Sequence, residues 1–85
     1  MIPKSEMKHG AYYQGRCRNA TIARWNGEKQ CFVHFRTKFG EHFLESIKHE
    51  EDFSGFDCFK PDREVTFEET GLDQEININS AWGPF

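Results

Sequence analysis

Eighty-five residues, 36% hydrophobic and 15% aromatic, make one small domain with a single core and leave little room for the deep cleft an enzyme needs. The formal net charge of -3 hides a division: residues 1–60 hold ten Lys or Arg against eight Asp or Glu, whereas residues 61–85 hold one Arg against six carboxylates. The first Met-Ile-Pro-Lys-Ser-Glu lacks a signal-peptide apolar stretch, no run approaches membrane-spanning length, and Cys17, Cys31 and Cys58 cannot all be satisfied by internal disulfides, so a chain in a reducing cytoplasm without membrane contact is expected.

In chain order, Ala11-Tyr12-Tyr13-Gln14 reads as a short strand interrupted at Gly15 by a bulge or tight bend. Two strand-like runs follow between Ala20 and Phe35, joined by Asn26-Gly27, the dipeptide that suits a type I′ turn with φ > 0 at both positions. That turn pairs Arg24 with Lys29, Ile22 with Cys31, Ala20 with Val33 and Arg18 with Phe35. Opposed residues share a face, so Ala20, Ile22, Cys31, Val33 and Phe35 form the candidate core. Ala23, Trp25, Phe32, His34 and Arg36 fall on the other face.

A second reversal is expected at Thr37-Lys38-Phe39-Gly40-Glu41, with Gly40 closing a three-residue hairpin loop. It pairs Phe35 with Phe43, Cys31 with Ile47 and Arg36 with His42, and leaves Glu45 awkwardly opposite Val33. The competing reading of residues 41–52 is an amphipathic helix. His49-Glu50-Glu51-Asp52 suits a loop, and Phe56-Asp57-Cys58-Phe59 a last strand stopped by Pro61. From there an acidic segment, flexible through Gln74, ends in Trp82 and Phe85, which either fold back or serve as a docking peptide.

Five short strands on tight connections are expected to form a small all-β antiparallel barrel over residues 8–60, followed by an acidic, partly flexible tail over 61–85. The residues Gly15-Arg16-Cys17-Arg18-Asn19-Ala20-Thr21-Ile22-Ala23, then Phe32-Val33-His34-Phe35, Gly40 and Glu45-Ser46-Ile47 resemble SH3-like barrels of the Tudor type. The resemblance implies a small binding module, and an aromatic cage to which Trp25, Phe32 and Phe39 are available without a residue-by-residue match.

The chemistry the residues support is binding. Three Cys and four His lack the close spacings of a structural zinc site, so no metal or other cofactor is expected. No nucleophile elbow, phosphate loop or metalloprotease helix occurs, so no catalytic residue is assigned. The Asn19-Ala20-Thr21 sequon is incidental in a chain without a secretory signal. The candidate binding residues are Trp25, Phe32, His34, Arg36, Lys38, Phe39 and His42, an aromatic and basic set suited to a protein partner. Single-stranded nucleic acid is the alternative partner, since bases stack on aromatic rings beside cations. Oligomeric state is left open.

Overall fold

The computed structural model describes residues 1–17, 21–52 and 58–79. Five strands, β1 (Tyr12–Arg16), β2 (Ile22–Asn26), β3 (Cys31–Lys38), β4 (Glu41–His49) and β5 (Cys58–Val65), form one all-β sheet whose hydrogen-bonded pairing runs in sequence order and returns from β5 to β1. Four pairings are antiparallel and β4 with β5 is parallel, through Lys48↔Cys58 and His49↔Phe59. The expectation of a wholly antiparallel sheet is corrected by parity: strand direction cannot alternate all the way round a ring with an odd number of members. The helical reading of 41–52 is excluded by β4.

Alternation along the strands buries both faces. One cluster draws on every strand: Tyr13 of β1, Ala23 and Trp25 of β2, Phe32 of β3, Ile47 of β4 and Phe59 of β5. A face shared by all members of a closed ring is its inside. The opposite face carries a second cluster of Tyr12, Val33 and Val65 with half-buried Ile22, Phe35 and Leu44, and this one is covered from the C-terminal side by Phe67, Leu72, Ile76 and Ile78.

Gly15 marks the bulge its position suggested. The β1–β5 register slips there by one residue, from Gln14↔Arg63 to Gly15↔Pro61, leaving Asp62 as the extra residue. A Cβ at Gly15 would overlap the Lys60 carbonyl oxygen and crowd the Phe59 ring, so only glycine lets the backbones approach this closely. Pro61 does not end the strand, because it sits at the bulge, where a missing N–H is tolerated. Its carbonyl accepts from the Ile2 amide at 2.8 Å, tying the N-terminal segment to the open side of β5.

Both reversals differ from expectation. The first hairpin closes through four residues, 27–30, and pairs Arg24↔Val33, Trp25↔Phe32 and Asn26↔Cys31. Neither Asn26 nor Gly27 has a positive φ; the left-handed residue is Gln30, at 55°. Asn26 is instead the last strand residue, and its Oδ1 accepts from the amides of Glu28 and Lys29 at 3.0 and 3.1 Å, which folds the chain after it. The gain from this register is the Trp25–Phe32 pair, whose rings meet edge-on at 4.7 Å. The expected pairs with Ala20 and Arg18 lie outside the described residues.

The second hairpin is the two-residue one. Phe39 (φ 55°) and Gly40 (φ 79°) are both left-handed, and Lys38↔Glu41 closes the pair. Compared with a three-residue loop, the register moves by one residue, so every β4 side chain changes face. Phe35 faces Leu44, Arg36 faces Phe43, and Glu45 meets His34 instead of Val33. The carboxylate leaves the Val33 face and is held instead by Arg36 beside His34.

Residues beyond 61 do not form a tail separate from the sheet in the described part of the chain. β5 runs through 61 to Val65, and Thr66 then caps a one-turn helix, α1 (Phe67–Thr70), in a reciprocal capping box with Glu69. Gly71, at φ 73°, ends it. Ile76 and Ile78 are 1% and 7% exposed, and the Ile76 backbone is clasped from both sides: its amide donates to the Tyr12 hydroxyl at 2.9 Å and its carbonyl accepts from Arg24 at 2.7 Å. Trp82 and Phe85 lie outside the described residues.

Candidate functional site

The residues nominated as one binding face separate into three groups. Trp25, Phe32 and His34 are 1%, 0% and 1% exposed. They do share a face, but it is the inside of the ring. Phe32 touches Trp25, Tyr13, Phe59 and the stacked His49 ring, so it and Trp25 are core and offer no open cage. The exposed-face assignment of these three is corrected: in a closed ring of strands the second face of the sheet is covered by the ring itself. Arg36 and Phe39 remain partly or largely outside. The side chains of Lys38 and His42 lie outside the described part of the structure.

His34 stands at the border between core and surface. Its Nδ1 lies 3.2 Å from the Phe35 carbonyl, which fixes the proton there, and its Nε2 is 3.6 Å from Glu45. Glu45 is itself held by Arg36, whose Nη1 donates to both carboxylate oxygens at 2.7 and 2.9 Å. Burial pushes the imidazole below its ordinary pKa, opposed by the Phe35 carbonyl and by Glu45 and assisted by Arg36. The unfolded chain therefore takes up a proton near pH 6.5 while the native state still resists it, so stability falls as pH drops from about 6.5 toward the lower native value. The melting temperature of the wild type, measured against His34→Gln, is expected to decline more steeply between pH 7 and pH 5. Equal slopes would place His34 outside the pH response.

His49, which the sequence places in an acidic loop, is wholly buried. Its Nδ1 accepts from the Glu51 amide at 3.0 Å and its Nε2 donates to the Ile2 carbonyl at 2.9 Å, so both ring nitrogens serve the fold. Arg24 is spent likewise: it donates to the Gly10 and Ile76 carbonyls at 2.7 Å each and lies over the Tyr12 ring. Burial raises the Cys31 thiol pKa, against the pull of Lys29, which makes it a poor nucleophile. Among the described residues no group of three His, Cys, Asp or Glu side chains is placed to hold a metal ion.

What stands out on the surface is the turn of the β3–β4 hairpin. Phe39 is 93% exposed and holds a left-handed backbone. That conformation costs a bulky L-residue about 1–2 kcal/mol, and Asn or Gly would fill the turn without the penalty. An aromatic ring at this position serves neither turn geometry nor core. The sequence singled out Phe39 as aromatic; what it could not show was the length of the loop that puts Phe39 at its apex.

One pocket adjoins this hairpin. It measures 230 Å³ and is lined by Thr21, Ile22, Phe35, Thr70, Leu72 and Ile76, between the start of β2, the middle of β3, the end of α1 and the chain that follows it. That volume is below the ~300–1,000 Å³ of sites for drug-sized ligands, and it suits a single ring. Compared with known proteins, the chain matches no family model, no curated protein and no solved structure.

Proposed function

We propose that this chain is a non-catalytic protein-interaction module of the SH3-like barrel type, which engages its partner through the β3–β4 hairpin with Phe39 as the anchor. The observation that carries the reading is Phe39 itself, nearly fully exposed at a backbone position that disfavours it. Exposed aromatic side chains on rigid elements are the usual anchors of protein interfaces. A two-residue turn between paired strands is such an element, so little ordering cost opposes docking. The SH3-like assignment draws its support from the five short strands in sequence order and the bulge at Gly15. A reducing, cytoplasmic setting is supported by Cys31 and Cys58, which both pair with Lys48 from opposite sides and so stand two strand spacings apart, about 9–10 Å, too far for a disulfide. No helix among the described residues is long and apolar enough to cross a membrane.

Two measurements test this. Phe39→Asn relieves the left-handed strain, so the fold is expected to gain about 1 kcal/mol, or some 4–8 °C in melting temperature, while partner binding is lost. A photo-crosslinking phenylalanine analogue at position 39 is expected to yield protein adducts that survive nuclease treatment. Adducts that nuclease destroys would establish the nucleic-acid reading instead, and an Asn variant that melts lower while still binding would overturn the anchor.

A further inference from the structure

We infer that the 230 Å³ pocket between β2, β3 and α1 seats one ring-sized apolar side chain of a partner peptide that carries lysine or arginine on either side of it. This rests on the reading of the chain as a protein-interaction module and names the chemistry of the segment it takes.

The pocket exists because two strands part. The β2–β3 ladder stops at Arg24↔Val33, although β3 runs on to Lys38. In the same register the next pair on that face would be Ile22 with Phe35, and both line the pocket instead. Leu72 and Ile76 bound it from the chain that follows α1. Ile22, Phe35 and Leu72 stay half-buried beside a fully buried Ile76, so an apolar occupant would remove from water the part of the outer cluster that the fold leaves wet.

The lining decides what enters. Four of its six side chains are hydrocarbon, and the hydroxyl of Thr70 is already committed: it donates to the Phe67 carbonyl at 2.6 Å and accepts from the Leu72 amide at 3.2 Å. Thr21 stands at the exposed lip. A polar group pushed inside would lose its water without replacement, which selects an apolar one. A protein cavity of about 150 Å³ with an apolar lining takes up a benzene ring, so this volume suits a single phenylalanine or leucine side chain.

The rim decides what flanks it. Residues 66–79 contain Glu68, Glu69, Asp73 and Glu75 and no Lys or Arg. Glu69 is engaged by Arg63 at 3.4 Å and by the cap at Thr66. Glu68, Asp73 and Glu75 are exposed and form no ion pair among the described residues. Asp73 follows the lining residue Leu72 and Glu75 precedes Ile76, each one Cα spacing away, about 3.8 Å, and well inside the ~10 Å over which a charge acts at 0.1 M salt. Against these carboxylates stands the Arg24 guanidinium, which reaches the Ile76 carbonyl at 2.7 Å. The mouth stays net negative, so it attracts a segment with cations beside its apolar residue and repels an acidic one.

Amide spectra of the isotope-labelled full chain provide the test, titrated at low salt with the capped tripeptides Lys-Phe-Lys, Glu-Phe-Glu and Lys-Ala-Lys and with 2-phenylethylammonium. Lys-Phe-Lys is expected to shift residues 21–22, 35 and 70–76 saturably and to bind at least about tenfold more tightly than Glu-Phe-Glu, while Lys-Ala-Lys leaves those amides in place. Thr21→Trp, which fills the pocket from its exposed lip, is expected to abolish the shifts. Asp73→Asn combined with Glu75→Gln changes only exposed side chains and should narrow the preference between the two phenylalanine peptides to about threefold. Phe39→Asn should bind Lys-Phe-Lys as the wild type does, so the pocket and the hairpin anchor are judged separately. Pocket amides that do not move with Lys-Phe-Lys, or equal affinity for peptides of either charge, overturn the proposal. Binding of 2-phenylethylammonium as tight as that of Lys-Phe-Lys would make the pocket a small-amine site and overturn the peptide.

Discussion

Truncation after Val65 is expected to unfold the domain. The cut leaves all five strands in place, yet it removes Phe67, Leu72, Ile76 and Ile78 from the cluster on the outer face of the sheet. Two of these are almost fully buried, and burial of an isoleucine side chain is worth about 1.5–3 kcal/mol, so Ile76 and Ile78 alone account for roughly 3–6 kcal/mol. The hydrogen bonds of the Tyr12 hydroxyl and the Arg24 guanidinium to the Ile76 backbone go with them. A chain of this length is held by only about 4–13 kcal/mol in total. Far-UV circular dichroism should show loss of the strand spectrum, or melting far below the full chain. A truncated protein that melts like the full one would return residues 66–85 to the status of an appendage.

Trp25→Ala carries the second large effect. Trp25 packs edge-on against Phe32 and His49 inside the ring at 1% exposure, so its removal leaves a cavity that the surrounding strands cannot close. The expected loss is about 3–5 kcal/mol, most of the stability such a domain has. Chemical denaturation measures it, and Trp25→Phe should recover a large part. If Trp25→Ala melts like the wild type and loses only partner binding, the ring is open at Trp25 and the binding face lies there after all.

How the sequence conveyed some of this and not the rest follows from what alternation encodes. Within β2 and β3 period-two patterning assigns residues to faces correctly, and Ala23, Trp25, Phe32 and His34 do share one, whereas the expected β4 register put its side chains on the wrong face. It does not say whether a face meets solvent. That depends on closure of the sheet, a long-range event set by the pairing of β1 with β5, and closure turned the nominated binding face into the core. Gly15 was legible because a glycine within a strand has few uses other than a bulge or a close approach.

Turn chemistry misled through competition. Asn26-Gly27 carries the residues of a type I′ turn, but the Asn26 side chain caps the amides of Glu28 and Lys29, and the four-residue loop lets Trp25 meet Phe32. The two-residue turn formed at Phe39-Gly40, where the first residue is a poor choice for it. Local preference was overruled at both places, at the first by core packing. At the second the left-handed Phe39 stays 93% exposed, which is why that residue bears the functional argument. The acidic composition of 62–75 likewise concealed a short capped helix and two isoleucines that hold the outer face.

The central claim is that intermolecular contact is made by the tip of the β3–β4 hairpin and not by the aromatic residues inside the ring. A photo-crosslinking phenylalanine analogue placed at exposed position 39, and in a second variant at buried position 32, addresses it directly. The account predicts protein adducts from position 39 and none from position 32. Adducts from position 32 and none from position 39 would contradict it.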